Sequence, residues 1–172
     1  MIKMCLKAWF VSFSLIVLFL PVLAQWSTGL LPFKTARHGV EFLNAEEVII
    51  AGGQVGNSGS SQNISDNAII YNVNTHNCTS SSMNTPRLEP ILVQGDSGVY
   101  VIWGTSDWAD VNGNGWKIEN TMEIYKNGSW TEFSIPFQTM DGNAVHVGGK
   151  IIVADCDSIR WGVLGTGKAL LY

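Results

Sequence analysis

The stretch Asp110-Val111-Asn112-Gly113-Asn114-Gly115 sets side-chain oxygens at alternate positions ahead of a glycine. Such spacing lets the oxygens converge on one hard cation while the glycine makes a sharp turn, as in the first half of a calcium loop. Counting from Asp110, the twelfth position is Thr121. A threonine cannot supply the bidentate carboxylate that closes a helix–loop–helix calcium site, so that site type is excluded. Glu119 is the nearby acid, which makes Asp110, Asn112, Asn114 and Glu119 the candidate metal set and calcium the one cation the sequence raises. Asn, Gly and Asp are also ordinary turn residues, and a plain turn-rich loop is the simpler reading of them.

Trp108 and Trp116 flank that loop, and Trp103 precedes it. Trp103 reads as packing, whereas Trp108 and Trp116 form a candidate aromatic patch for a sugar or a protein partner, because aromatics are enriched in binding hot spots. The histidines are His38, His76 and His146, and no His-x-His or His-x-x-x-His spacing supports zinc or copper. No nucleophile elbow, phosphate-cradling glycine loop or dinucleotide glycine pattern is present. Asp107, Asp110, Glu119 and Asp141 read as solvated loop acids, so no catalytic residue and no cofactor beyond calcium is assigned.

These residues sit in a chain of 172 residues that is 46% hydrophobic and only 14% charged, with 18 Gly and 7 Trp. Charge so far below the roughly 25% of ordinary domains excludes a disordered polyelectrolyte. Met1–Ala24 reads as a secretory signal: Lys3 and Lys7, then an apolar run from Ala8 to Leu20, then Pro21 and the small-residue site ending at Ala24. The apolar run is shorter than the about 20 residues needed to span a bilayer. Residues 25–172 are therefore expected to be exported, extracellular and free of membrane after cleavage. The signal holds 2 of the 10 Lys and Arg and none of the 14 acids, which turns a net charge of −4 into −6 for the remainder. A nucleic-acid partner is disfavoured on that balance.

In a eukaryotic source, export makes three tripeptides N-glycosylation acceptors on surface turns, at Asn63, Asn77 and Asn127. It also makes Cys78 and Cys156 a permitted disulfide pair, though not a required one.

Self-similarity organises the rest. Lys34-Thr35-Ala36-Arg37-His38 leads to Val40, Phe42 and the run Val48-Ile49-Ile50-Ala51-Gly52-Gly53, then a polar loop, then Ala68-Ile69-Ile70-Tyr71. Asn84-Thr85-Pro86-Arg87-Leu88 leads to Val99-Tyr100-Val101-Ile102-Trp103-Gly104, a second polar loop, and Met122-Glu123-Ile124-Tyr125. A third pass runs from Thr139 to Lys150-Ile151-Ile152-Val153-Ala154-Asp155-Cys156. Thr35, Thr85 and Thr139 mark a period of about fifty residues, which divides the chain near 31–82, 83–134 and 135–172. Short Val- and Ile-rich runs bounded by turn residues are strands. Their near-continuous apolar character asks for cover on both faces, which small antiparallel sheets repeated about an axis provide.

The unit resembles the kelch repeat of the galactose oxidase-like β-propellers, whose second strand closes on a glycine pair and whose later strands carry a Tyr and a Trp. Gly52, Gly53 and Tyr71 match in the first unit, with Cys78 where the Trp belongs. Arg87, Tyr125 and Trp130 match in the second, with Trp103-Gly104 for the glycine pair. The third unit keeps the strand pattern alone. The calcium-like spacing is also similar to the loops of integrin-type propellers, whose later acid would fall on Ile118, beside Glu119. The resemblance implies an all-β fold of about three four-stranded blades, an incomplete propeller. Tyr71, Tyr125 and Trp130 would pack between sheets, and Arg37 and Arg87 would tie adjacent units. Closed propellers have about 4 to 8 blades, so further blades in a longer chain or an oligomer are expected. The expected function is binding of an extracellular protein or carbohydrate. The alternative is part of a galactose oxidase- or sialidase-like secreted enzyme whose catalytic residues lie outside this chain.

Overall fold

Val48-Ile49-Ile50-Ala51 lacks helical spacing and carries β-branched side chains, and it forms a strand. A computed structural model describes residues 31–56, 63–107, 117–136, 142–154 and 169–172. Among these the chain is built of antiparallel strands. Strands β1 (Gly39–Phe42), β2 (Glu47–Ala51), β3 (Asn67–Asn72) and β4 (Cys78–Ser82) form one four-stranded meander. A second sheet starts with β5 (Ile91–Gly95) and β6 (Gly98–Ile102). The chain then leaves it for a two-stranded ribbon, β7 (Thr105–Asp107) with β8 (Lys117–Ile118), and returns through β9 (Thr121–Lys126) and β10 (Ser129–Ser134). The third sheet holds β11 (Asn143–Val147), β12 (Lys150–Ala154) and β13 (Ala169–Leu171). The expected all-β, blade-like architecture is observed, and three strands of the third sheet lie among the described residues. The segment 1–24 lies outside them. No described helix is long and apolar enough to cross a membrane.

Tight turns fix the register. Asn127 and Gly128 join β9 to β10 with φ of 51° and 81°, and Gly148 and Gly149 join β11 to β12 with 59° and 74°. Two successive positive φ values match the right-handed twist of the flanking strands, which is why Asn-Gly and Gly-Gly stand there.

The sheets stack face to face. Ile49, Ala51, Ala68 and Ile70 of the first pack on Val99, Val101 and Tyr125 of the second. The opposite side of the second sheet, Val93, Tyr100, Ile102, Met122 and Ile124, packs on Ile151 and Val153 of the third. Strand β6 is thus covered on both faces, which is why its sequence is apolar throughout and does not alternate. Val99, Val101 and Ile102 have no exposed surface, and burial of each is worth about 1.5–3 kcal/mol. Strand β5 lies beside both β1 and β11, so the first strands of the three sheets are neighbours, as the innermost strands of propeller blades are.

Strand pairing sets the repeat register. Gly39 faces Ala51, Ile91 faces Ile102 and Asn143 faces Ala154 across the first hairpin of each sheet. Ala36 bridges Gln54, and Leu88 bridges Thr105 in the same way. This register corrects the expected pairing of Arg37 with Arg87. Thr35 occupies the place of Arg87, and Arg37 occupies the place of Glu89, both of them left-handed with φ of 58° and 55°. Matching letters misaligned the units by two residues because hydrogen-bond register, not residue identity, defines equivalent positions.

Candidate functional site

The two long loops leave the same end of adjacent sheets on stems of one design. In the first, Gln54 bridges Ile64 and the Ser65 amide donates to the Gly53 carbonyl at 2.9 Å. In the second, Thr105 pairs with Ile118 and the Glu119 amide donates to the Gly104 carbonyl at 2.9 Å. The loop tips, 57–62 and 108–116, lie outside the described residues. That range includes Trp108 and Trp116 of the aromatic patch and Asp110, Asn112 and Asn114 of the calcium set.

Glu119, the remaining member of that set, is not the solvated loop acid the sequence suggested. Its side chain is nearly buried. The Ser106 hydroxyl donates to its Oε1, and Lys117 Nζ lies 2.9 Å from the same oxygen. Burial works against the charged carboxylate, but Ser106, Lys117 and the more distant Arg87 outweigh it and hold the Glu119 carboxyl below its ordinary range. Ser106 and Lys117 were missed from sequence because neither forms a recognisable spacing with Glu119 until β7 and β8 pair. Among the described residues, no group of three His, Cys, Asp or Glu side chains could hold a metal ion.

Below the loops lies a buried ionic group. Arg87 and Glu123 have no exposed side-chain surface, and the guanidinium Nη2 lies 3.3 Å from Glu123 Oε1. Arg87 also donates to the carbonyls of Trp103 and Thr121 at 2.8 and 3.1 Å and to the Thr121 hydroxyl at 2.7 Å. Glu123 accepts from the amides of Asn84 and Thr85 at 2.7 and 3.0 Å. Burial lowers the Arg87 pKa, and Glu123, Glu132 and Glu119 oppose that shift. The sequence signal for Glu123 was a lone acid inside the apolar run Met122-Glu123-Ile124-Tyr125. The Arg87 side chain therefore ties strands of its own sheet, whereas its backbone ties two sheets: its carbonyl accepts from Gly53 N at 2.7 Å and its amide donates to Ser65 O at 3.1 Å. Arg37 does join units, through Glu89 at 2.6 Å.

Gly52 and Gly53 end β2 with φ of 70° and 96°. A Cβ on Gly52 would lie 2.4 Å from the Arg87 carbonyl oxygen, so the approach of the next unit depends on its absence. At the equivalent positions Trp103 and Gly104 have φ of 53° and 98°. Trp103 thus holds a conformation that glycine normally supplies, and its indole is buried between the second and third sheets. Tyr71 and Tyr125 occupy equivalent places, opposite Val48 and Val99, and Cys78 and Trp130 follow opposite them. The Trp130 ring lies 4.9 Å from that of Tyr125, and its Nε1 donates to Ser81 of the first sheet at 2.9 Å. Burial, with Glu47 nearby, raises the Tyr125 pKa.

Asn77 and Asn127 are exposed on the short turns at the other end of the sheets. Asn63 is half-buried at the base of the first loop, where its carbonyl accepts from Val55 N and its sequon continues into buried Ile64 and Ser65. At the short-turn end an open cleft of about 560 Å³ lies between the first two sheets, bordered by Asn44, Glu47, Asp96, Lys126 and Asn127. Sequence reading missed it, because it forms only when turns from two units meet.

A scan against models of known families gave no match, and neither did a search of curated proteins. Among solved structures the chain is similar to YjhT, with a TM-score of 0.64 at 11% identity over 86% of this chain and 45% of that one. The chain therefore spans less than half of that protein's length. The likeness is one of fold: stacked, antiparallel, blade-like sheets of a propeller-like architecture.

Proposed function

We propose that this chain is a secreted, kelch-type propeller arc that binds an extracellular protein or carbohydrate through its long-loop end. The observation that carries the reading is the β7–β8 ribbon. It is anchored to the segment leading into β5 by the bridge between Leu88 and Thr105, and the segment with Trp108 and Trp116 connects its two strands. Function resides in loops held on a rigid scaffold, and aromatic side chains there supply contact area at small entropic cost. Export is supported by the signal-like Met1–Ala24, and the kelch assignment by equivalent Gly52-Gly53 and Trp103-Gly104 corners with Tyr71 and Tyr125 one strand later. Sugars on Asn77 and Asn127 would stand at the short-turn end and crowd the cleft beside Asn127, leaving the long-loop end open.

The test is binding of the secreted chain to an array of defined extracellular oligosaccharides and a panel of purified matrix glycoproteins. Saturable binding to a member, weakened by more than about ten-fold in Trp108→Ala/Trp116→Ala at an unchanged melting midpoint, supports the reading. No binding to any member, or binding that the double substitution leaves intact, overturns it.

A further inference from the structure

Where the second and third sheets meet at the short-turn end, one buried nitrogen is left without a partner. His146 lies on β11 and Asp96 on the turn between β5 and β6, and His146 Nε2 stands 3.4 Å from Asp96 Oδ1. That nitrogen is buried and makes no hydrogen bond among the described residues. Native structures rarely leave a buried polar atom in that state without a reason. In the repeat register His146 holds the place of Gln94, one residue before the pair that closes each hairpin, Val147 with Lys150 and Gly95 with Gly98. The Gln94 amide reaches back to the first sheet and donates to the Leu43 carbonyl at 3.2 Å. His146 reaches back to the second sheet in the same way, but it ends beside a carboxylate with no hydrogen bond between them.

Aromatic rings wall the same place. Tyr172 follows β13 opposite Ile151, exchanging backbone hydrogen bonds of 2.8 and 3.0 Å with it. It thereby holds the place that Tyr125 holds opposite Val99. The Tyr172 ring lies 5.8 Å from that of Tyr100 at 64°, so the two rings form a corner. Tyr100, Tyr172, His146, Asp96 and Ile151 line a pocket of about 260 Å³. No described Lys or Arg lines it, and its formal charge is the Asp96 carboxylate, which favours a cation. One carboxylate and one imidazole are too few ligands for a divalent metal ion. An organic ammonium meets every wall: its charge faces Asp96, its N–H groups reach two acceptors, and its carbons lie against tyrosine rings.

We propose that this pocket binds an alkylammonium group bearing N–H, of the kind carried by a lysine side chain or a small free amine. With the imidazole neutral and its proton on Nδ1, one ammonium donates both to His146 Nε2 and to Asp96 Oδ1. Tyr100 and Tyr172 receive the positive charge and the adjoining carbons on their rings. A quaternary ammonium has no N–H to give, so it leaves the buried nitrogen unpaired. The pocket lies at the end of the sheets opposite the long loops, and the inference is independent of the long-loop reading.

The test is a titration of the chain at about pH 8, above the ordinary histidine range, read from the NMR signals of the His146 ring. The probes are n-butylammonium, a capped Gly-Lys-Gly peptide, n-butyltrimethylammonium and uncharged n-butanol. Saturable binding of n-butylammonium is expected, weaker by about ten-fold or more for the trimethyl analogue and absent for n-butanol. Saturation by the peptide as well identifies a lysine of a partner as the source, and saturation by n-butylammonium alone identifies a free amine. Asp96→Asn is expected to weaken binding by about ten-fold at an unchanged melting midpoint, because the Asp96 side chain is 74% exposed and the fold does not depend on it. Glu46→Gln, which removes an exposed acid from the turn between β1 and β2, should leave binding unchanged. Absence of saturable binding by both n-butylammonium and the peptide overturns the proposal. So does equal affinity for the trimethyl analogue, or binding that Asp96→Asn leaves intact.

Discussion

Arg87 Nη2 lies 3.3 Å from Glu123 Oε1, and neither side chain has any surface in contact with solvent. The equivalent places in the first sheet hold Thr35 and Ile69, an uncharged pair. The Thr35 hydroxyl donates to Gly52 O at 3.1 Å, as Arg87 donates to Trp103 O. Removing one partner of a buried pair strands the other charge, so Arg87→Thr is expected to cost about 3–5 kcal/mol of unfolding free energy. The double variant Arg87→Thr/Glu123→Ile imports the first sheet's solution and is expected to cost less than the sum of the singles. Denaturant titration of the cycle measures this, and strict additivity would show that the pair is uncoupled.

Gly52 and Gly128 both have positive φ, but they meet different surroundings. A Cβ on Gly52 collides with the Arg87 carbonyl, whereas one on Gly128 meets nothing within 4 Å. Gly128→Ala is expected to cost only the left-handed backbone term of about 1–2 kcal/mol. Gly52→Ala carries the same term, and in addition it displaces the neighbouring sheet. Thermal melts of the two variants should rank Gly52→Ala clearly lower.

The Glu119 carboxyl is held below its ordinary value of 4.5. A depressed carboxylate contributes stability that is complete above the unfolded value and is lost as pH falls through the folded one. Glu119→Gln is therefore expected to be less stable than the parent at neutral pH. The gap between the two should narrow as pH falls below the ordinary carboxylate range. Chemical denaturation across that range reads it, and a gap independent of pH would contradict the assignment.

Sugar attachment should follow the placement of the three asparagines. Asn77 and Asn127 stand exposed on turns, while the Asn63 sequon includes buried Ser65, whose hydroxyl accepts from Asn67 N at 3.0 Å. Secretion from a glycosylating host should give high occupancy at Asn77 and Asn127 and low occupancy at Asn63. Intact mass before and after enzymatic deglycosylation checks this, with Asn→Gln variants assigning each site.

Much of the scaffold was legible because its signals are local. The run Val99-Tyr100-Val101-Ile102 announces a strand covered on both faces, and Val48-Ile49-Ile50-Ala51 announces one that closes on the Gly52-Gly53 pair. Trp103 read as a departure from the glycine corner, yet the backbone turns there as it does at Gly52, with burial of the indole offsetting the strain. What could not be read depends on partners far apart in the chain. Glu123 meets Arg87 only when β9 lies beside β6, and Glu119 meets Ser106 only when the ribbon closes. The offset of two residues that separates Arg37 from Arg87 is a matter of strand register, which residue letters do not encode.

The most direct test of the long-loop reading replaces residues 108–116 with Asn-Gly, a two-residue turn that closes β7 on β8. Binding to whichever glycan or glycoprotein the parent chain recognises is then measured beside the melting midpoint. The account predicts an unchanged midpoint and an affinity reduced by at least about ten-fold, because the stem is structural and the tip carries the contact. Full affinity retained in the shortened chain would contradict it.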